Sequence, residues 1–214
     1  MTVNIAILSF GRPRLFAQAL RTLKKHTDES LYTLTTYNDG AKLGTGAARN
    51  EVIRLASEQG RGEYLYLSDL DVAFRPKWLE TLVECYEFAR ESYGVIALGA
   101  YNHPYNPPYC HYPFYSTCLA KTLEVGPVQA LATQSWLWRW EDWDKYGPFT
   151  VTPAGKVRQS EDWEMSQKIR GEGNLVATMV PPLIVNASLT DSFGEDVPGK
   201  DLLEKAKVEG VLYE

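Results

Sequence analysis

A chain of 214 residues can bury one sizeable core and is too short for two domains of ordinary size. Its formal charge of −5 excludes a global positive field that would draw it to nucleic acid or to an anionic membrane, leaving only local basic patches. No apolar run reaches bilayer-spanning length, and the three cysteines, Cys85, Cys110 and Cys118, have neither zinc spacing nor a disulfide framework. The start, "MTVNIAILSFGRPR", lacks a basic leader and a small-residue cleavage site, so it reads as a first strand. The expectation is a soluble, cytoplasmic chain with reduced thiols and no membrane segment.

Residues 3–10, "VNIAILSF", are a short apolar run rich in β-formers, ended by Gly11 and Pro13. Leu15, Phe16, Ala19, Leu20 and Leu23 then recur at helical spacing. A second strand, "LYTLTTY" (31–37), runs into the turn "NDG" and the loop "AKLGTG", and "AARNEVIRLASEQ" follows as a helix with Ala48, Val52, Leu55 and Ala56 on one face. "EYLYL" is a third strand, a helix carrying Trp78, Leu79, Leu82, Val83 and Tyr86 comes next, and "GVIAL" (94–98) is a fourth strand. This alternation predicts an α/β domain whose mostly parallel sheet is flanked by helices. Ligands of such sheets bind beyond the carboxyl ends of the strands. Ser9 to Arg12, Asn38 with Asp39, and Asp69 with Asp71 all fall at such ends, so three separate polar loops would meet in one crevice.

Residues 99–160 are rich in Pro, Tyr and Trp, with short strands expected within "VQALATQSWLW". The aromatic stretches "YNHPYNPPYCHYPFY" (101–115) and "WLWRWEDW" (136–143) are either packing residues or flat platforms for sugars or bases. A further helix is expected at "SEDWEMSQKIRGEG", capped near Ser160 and ended by Gly171 or Gly173. From Asp191 the chain is polar and reads as a flap or tail.

The stretch "YLSDLDVAF" (66–74) sets two carboxylates at the end of a buried strand. Three uses fit: a solvated turn, a cap for the helix that begins near Pro76, or a cation site. Asp39 in "YNDG" likewise fits an Asx turn before Gly40 or a hydrogen bond to a base N–H. Arg49 and Asn50 sit in a first helical turn, where anions are favoured, though an ion pair is the competing fate of Arg49. The acidic residues at 161 and 162 suit a helix N-terminus as well as catalysis.

Taken in order, "ILSFGRPRLFAQALRTL", "YNDG", "GTGAARNEVI", "YLSDLDVAFRPKWLE", "YGPF" and "SEDWEMSQKIRGEG" resemble the GT-A glycosyltransferases of the family 2 type, over about residues 3–175. The resemblance implies a Rossmann-like catalytic domain at 1–190, with a nucleotide-sugar half (1–100), an acceptor-side half (101–190) and a tail at 191–214. It implies a DxD motif at 69–71, with Asp71 a ligand of Mn²⁺ or Mg²⁺ and Asp69 on the metal or the donor ribose. Donor contacts would come from Ser9, Phe10, Arg12, Asp39, Arg49 and Asn50. Asp162 would be the catalytic base and Glu161 would orient the acceptor, with Trp136, Trp138 and Trp163 on the acceptor side. The chain departs from the pattern at "VPPLIVNASLTDS", where relatives often supply a metal-binding His and this sequence offers Asn186, Ser188 and Asp191. His103 and His111 lie in the aromatic loop instead.

The activity implied is transfer of a hexose-type sugar with inversion from a nucleotide diphosphate donor, UDP ahead of GDP. The acceptor would be a hydroxyl of a small molecule, protein, glycan or modified DNA base. Two rivals are a sugar-phosphate nucleotidyltransferase, whose Gly-rich Lys/Arg loop is missing from "ILSFGRPRLF", and a non-catalytic sugar-nucleotide or glycan-binding module.

Overall fold

The computed structural model describes residues 1–40, 43–100, 124–128, 130, 131, 135–151, 161–180 and 182–186. The aromatic loop with His103 and His111, Ser188, Asp191 and the tail lie outside the described residues.

Strand β1 (Val3–Ser9) is buried at every position, which explains why its sequence is apolar without alternation. Helix α1 (Pro13–His26) starts with proline at its first position, where a missing N–H costs nothing, and buries Ala19 and Leu23. After a helical turn at Glu29–Leu31 come β2 (Tyr32–Asn38), α2 (Thr45–Glu58), β3 (Tyr64–Asp69), a short β4 (Val72–Phe74), α3 (Trp78–Tyr93) and β5 (Val95–Gly99). Gly94 stops α3 in the left-handed region at φ 70°, and its N–H bonds to the carbonyls of Ala89 and Arg90. The second half adds β6 (Glu124–Pro127), β7 (Ser135–Arg139), α4 (Trp140–Tyr146), α5 (Glu161–Gly171), β8 (Leu175–Val180) and β9 (Ile184–Asn186).

Seven strands form one sheet in the order β2-β1-β3-β7-β5-β8-β6, and β4 pairs with β9 in a separate ribbon. The α/β architecture is as expected, and its parallel pairings are confined to β2-β1-β3 and β5-β8. Strand β7 enters antiparallel between β3 and β5, and β6 runs antiparallel to β8, so the sheet is mixed. The two faces carry separate cores. Val3, Ile5, Ile7 and Tyr66 pack under α1 and α3 on one side. Ala6, Leu65 and Leu67 pack under α2, α4 and α5 on the other, an alternation set by the two-residue period of a strand.

The segment 136–143 splits at Trp140 into the end of β7 and the start of α4. Trp136 and Trp138 are fully buried and stack edge-on at 5.1 Å between centroids, in the same cluster as Phe149. They form core and present no face to an acceptor, which corrects the acceptor-side expectation for this pair. Their strand lies at the centre of the sheet, where both faces are covered.

Buried Asn4 ties the opposite edge together. Its Nδ2 donates to Thr33 Oγ1 (2.6 Å) and the Gly60 carbonyl (2.9 Å), and its Oδ1 accepts from Gly62 N–H (2.7 Å) and Trp140 Nε1 (2.8 Å). Both polar atoms of this buried side chain are thereby satisfied.

Candidate functional site

Parallel registry brings the predicted loops together. Ser9 lies opposite Asn38 and Leu8 opposite Asp69, so β1, β2 and β3 end on one edge. A cavity of about 420 Å³ opens there, lined by Leu8, Phe10, Arg12, Asp39, Gly44, Thr45, Asp69, Leu70 and Asp71. Five of the predicted residues, Phe10, Arg12, Asp39, Asp69 and Asp71, therefore face one space. Ser9 is buried beside them, and its carbonyl accepts from the Asp39 N–H (2.9 Å), carrying the ladder one residue beyond β2.

Sequence reasoning missed Gly44 and Thr45 as site residues. Gly44, at φ 91°, turns the chain into α2 without a side-chain cap, so first-turn N–H groups of a 14-residue helix end at the cavity. Such an end attracts anions through unpaired N–H groups and the helix dipole. The signal was present as "GTG" directly before an apolar helical pattern.

Asp39 is buried, and its Oδ1 accepts from the Leu43 N–H at 2.9 Å. This carboxylate therefore holds the loop that leads toward α2, and the same residue lines the cavity. Phe10 sits half exposed at the rim, at 51%.

Arg49 is only 4% exposed and bridges two carboxylates. Its Nη2 donates to both oxygens of Asp69 at 3.2 Å, and its Nη1 pairs with Glu161 Oε1. The ion pair foreseen as its competing fate is what the fold adopts. Asn50 is likewise engaged, because its Nδ2 donates to the Phe149 carbonyl and its Oδ1 accepts from the Phe149 N–H, both at 2.9 Å. This reciprocal pair fixes the Asn50 side chain against the segment before Thr150. The same region of α2 approaches closely, since a Cβ on Gly46 would lie 2.3 Å from the Thr150 carbonyl.

Asp71 differs from its neighbours. Its Oδ1 is buried with no hydrogen-bond partner among the described residues, and burial followed by the charge of Asp69 pushes its carboxyl up to about 6. The positive charges of Arg12 and Arg49 offset part of this. A buried acceptor with no donor is the group that a hard divalent cation satisfies. Asp69 and Asp71 thus fit Mg²⁺ or Mn²⁺, although no group of three His, Cys, Asp or Glu converges among the described residues. Strand β9 pairs Asn186 with Val72, one residue past Asp71, so the segment expected to offer a further ligand does reach this turn by its backbone.

Glu161 and Asp162 open α5, and the ion pair to Arg49 brings Glu161 against the end of β3. Asp162 is half-buried, its Oδ1 accepts from the Trp163 N–H at 2.8 Å, and it makes no ion pair with a described residue. Trp163 is 46% exposed and remains open to a ligand.

The strand order and flanking helices are those of the GT-A fold, and solved glycosyltransferase structures match it. GalNAc-T7 with UDP, GalNAc and Mn²⁺ superposes with a TM-score of 0.60 at 14% identity over 83% of this chain. The mannosyltransferase PcManGT from Pyrobaculum calidifontis, in complex with GDP-Man and Mn²⁺, gives 0.57 at 13% identity over 84%. A mutant Drosophila β-1,4-galactosyltransferase 7 with manganese, UDP-Gal and xylobiose gives 0.54 at 12% identity over 92% of this chain and 77% of its own. The chain spans only 42% and 54% of the first two. No protein-family model and no curated protein matches the sequence. Among the described residues no helix is long and apolar enough to cross a membrane.

Proposed function

We propose that the protein is an inverting glycosyltransferase of the family 2 type, dependent on Mn²⁺ or Mg²⁺ held at Asp71 and Asp69. The donor is a nucleoside diphosphate sugar, UDP ahead of GDP, and the acceptor is a hydroxyl of a small molecule, protein, glycan or modified DNA base. The observation that carries this reading is the buried, unpartnered Asp71 oxygen in a cavity that also holds Asp39, Arg12 and the start of α2. Solved proteins of the same fold hold UDP or GDP-Man with Mn²⁺, which supports the choice of ligand.

When bound, the divalent cation offsets charge on the departing diphosphate. The chain's own groups divide the remaining work. Asp39 offers an acceptor to a base N–H, and Phe10 flanks the base at the rim. Uncapped N–H groups around Thr45 and the Arg12 guanidinium favour the phosphates. Arg49 holds Asp69 and Glu161 at a fixed separation, so two segments that belong to different halves of the chain stay in register. Glu161 is committed to that pair, which leaves Asp162 as the carboxylate available to take the acceptor proton. The acceptor oxygen bonds to the anomeric carbon, the bond from that carbon to the diphosphate oxygen breaks, and the proton passes to Asp162. Attack opposite the leaving group gives inversion.

The test is incubation with a panel of UDP- and GDP-sugars, following release of nucleoside diphosphate with Mn²⁺ and after chelation. Metal-dependent release with an inverted product linkage is expected. Pyrophosphate exchange would point to nucleotidyl transfer, and tight donor binding without turnover would reduce the protein to a binding module.

A further inference from the structure

The negative total charge conceals a strong segregation. Residues 1–27 hold Arg12, Arg14, Arg21, Lys24 and Lys25 and no acidic residue, leaving −10 for the remainder. All but Arg12, which lines the cavity, are exposed on α1. At 100° per residue, Arg14, Arg21 and Lys25 lie within about 40° of one another, with Lys24 to one side. None of these four makes an ion pair with a described residue, whereas Arg54, Arg61, Arg90 and Arg139 each pair with a carboxylate. Strand β4, against which α1 packs, carries no charged residue, and the next acids along the chain, Asp28 and Glu29, lie beyond the helix end. His26, at the end of the same helix, is lowered from its ordinary value first by burial and then, as the smaller cause, by the charge of Lys25.

We propose that the exposed face of α1 docks the phosphate backbone of a duplex nucleic acid that carries the acceptor hydroxyl, a reading that rests on the glycosyl-transfer function above. From Arg14 to Lys25 the helix rises about 16 Å, a length over which duplex DNA presents about ten phosphates. The row begins two residues from Arg12, so a backbone laid along it leads to the mouth of the donor cavity. An anionic lipid surface fits less well, because the exposed positions of α1 are Pro13, Arg14, Ala17, Arg21, Lys24 and Lys25, with no large apolar side chain to enter the acyl layer. The same set has no aromatic platform for unpaired bases, which favours duplex over single strand.

The experiment uses the full chain and a labelled duplex oligonucleotide of about twenty base pairs, with binding followed by anisotropy across a salt series. Four displaced counterions predict a log–log slope of about −3.6, or roughly 100-fold weaker binding between 50 and 200 mM salt. Replacing Arg14, Arg21 and Lys25 together by Gln should weaken binding at least about ten-fold and flatten that slope, and Lys24→Gln with Lys25→Gln should do so in part. Circular dichroism checks that both variants remain folded. No duplex binding, equal binding by the triple variant, or preference for phosphatidylserine vesicles or single strands over duplex overturns the proposal. Release of nucleoside diphosphate by the unaltered chain, measured in parallel, reports the donor reading separately, so either can fail alone.

Discussion

At the scale of single residues, Asp71 carries the sharpest expectations. Its carboxyl titrates near 6 in the folded chain against an ordinary value of 3.8, because burial and Asp69 disfavour the charge. Between those values the unfolded chain releases a proton that the folded chain keeps, so without metal the stability should fall as pH rises from 4 to 6 and then level off. Asp71→Asn should remove this slope and stabilise the metal-free protein by roughly 1 to 3 kcal/mol at neutral pH. Melting curves from pH 4 to 8 with chelator check both, and added Mn²⁺ should raise the melting temperature of the parent only as pH approaches and passes 6. Asp39 separates two roles within one side chain. Asp39→Asn keeps an oxygen for the Leu43 N–H but alters the base contact, so stability should hold while UDP affinity falls by about 1 to 3 kcal/mol by calorimetry. Arg49→Met would leave Asp69 and Glu161 facing each other without a cation, and a loss of roughly 3 kcal/mol in denaturant unfolding is expected.

At the scale of elements, α5 and α2 face each other across the site. Asp162→Asn retains an oxygen for the Trp163 N–H, so helix and donor affinity should persist while transfer slows roughly 10²-fold or more in single-turnover assays. The four longer strands and three helices of the first hundred residues were legible because each carries its own period and its own stop, such as Pro13 or Gly94, whereas the three-residue β4 is too short to show a period. The β7 to α4 boundary was not legible. "WLWRWEDW" is aromatic throughout, and only the centre of a sheet distinguishes a Trp that packs from one that faces solvent. The partners of Asn50 and Arg49 were not legible for a related reason: Phe149 and Glu161 stand about a hundred residues away in sequence, and no local pattern encodes that proximity.

At the scale of the whole molecule, the cavity is one edge of a sheet assembled from two parallel units joined by an antiparallel strand. The convergence of the loops after β1, β2 and β3 was visible in the sequence because consecutive parallel strands end together by geometry. The arrival of the second half was not, since it depends on where β7 inserts. The small ribbon of β4 and β9 has a practical meaning of its own. Residues Ile184–Asn186 are stitched to Val72–Phe74, directly after the turn that carries Asp71. A cut or deletion that frees this late segment would unfasten the Asp71 turn, proposed above to hold the cation, from its far side while nearly all of the sheet stayed standing. Proteolytic nicking near position 183 should therefore silence a folded molecule, making the integrity of a three-residue strand a better guide to an active preparation than its melting curve.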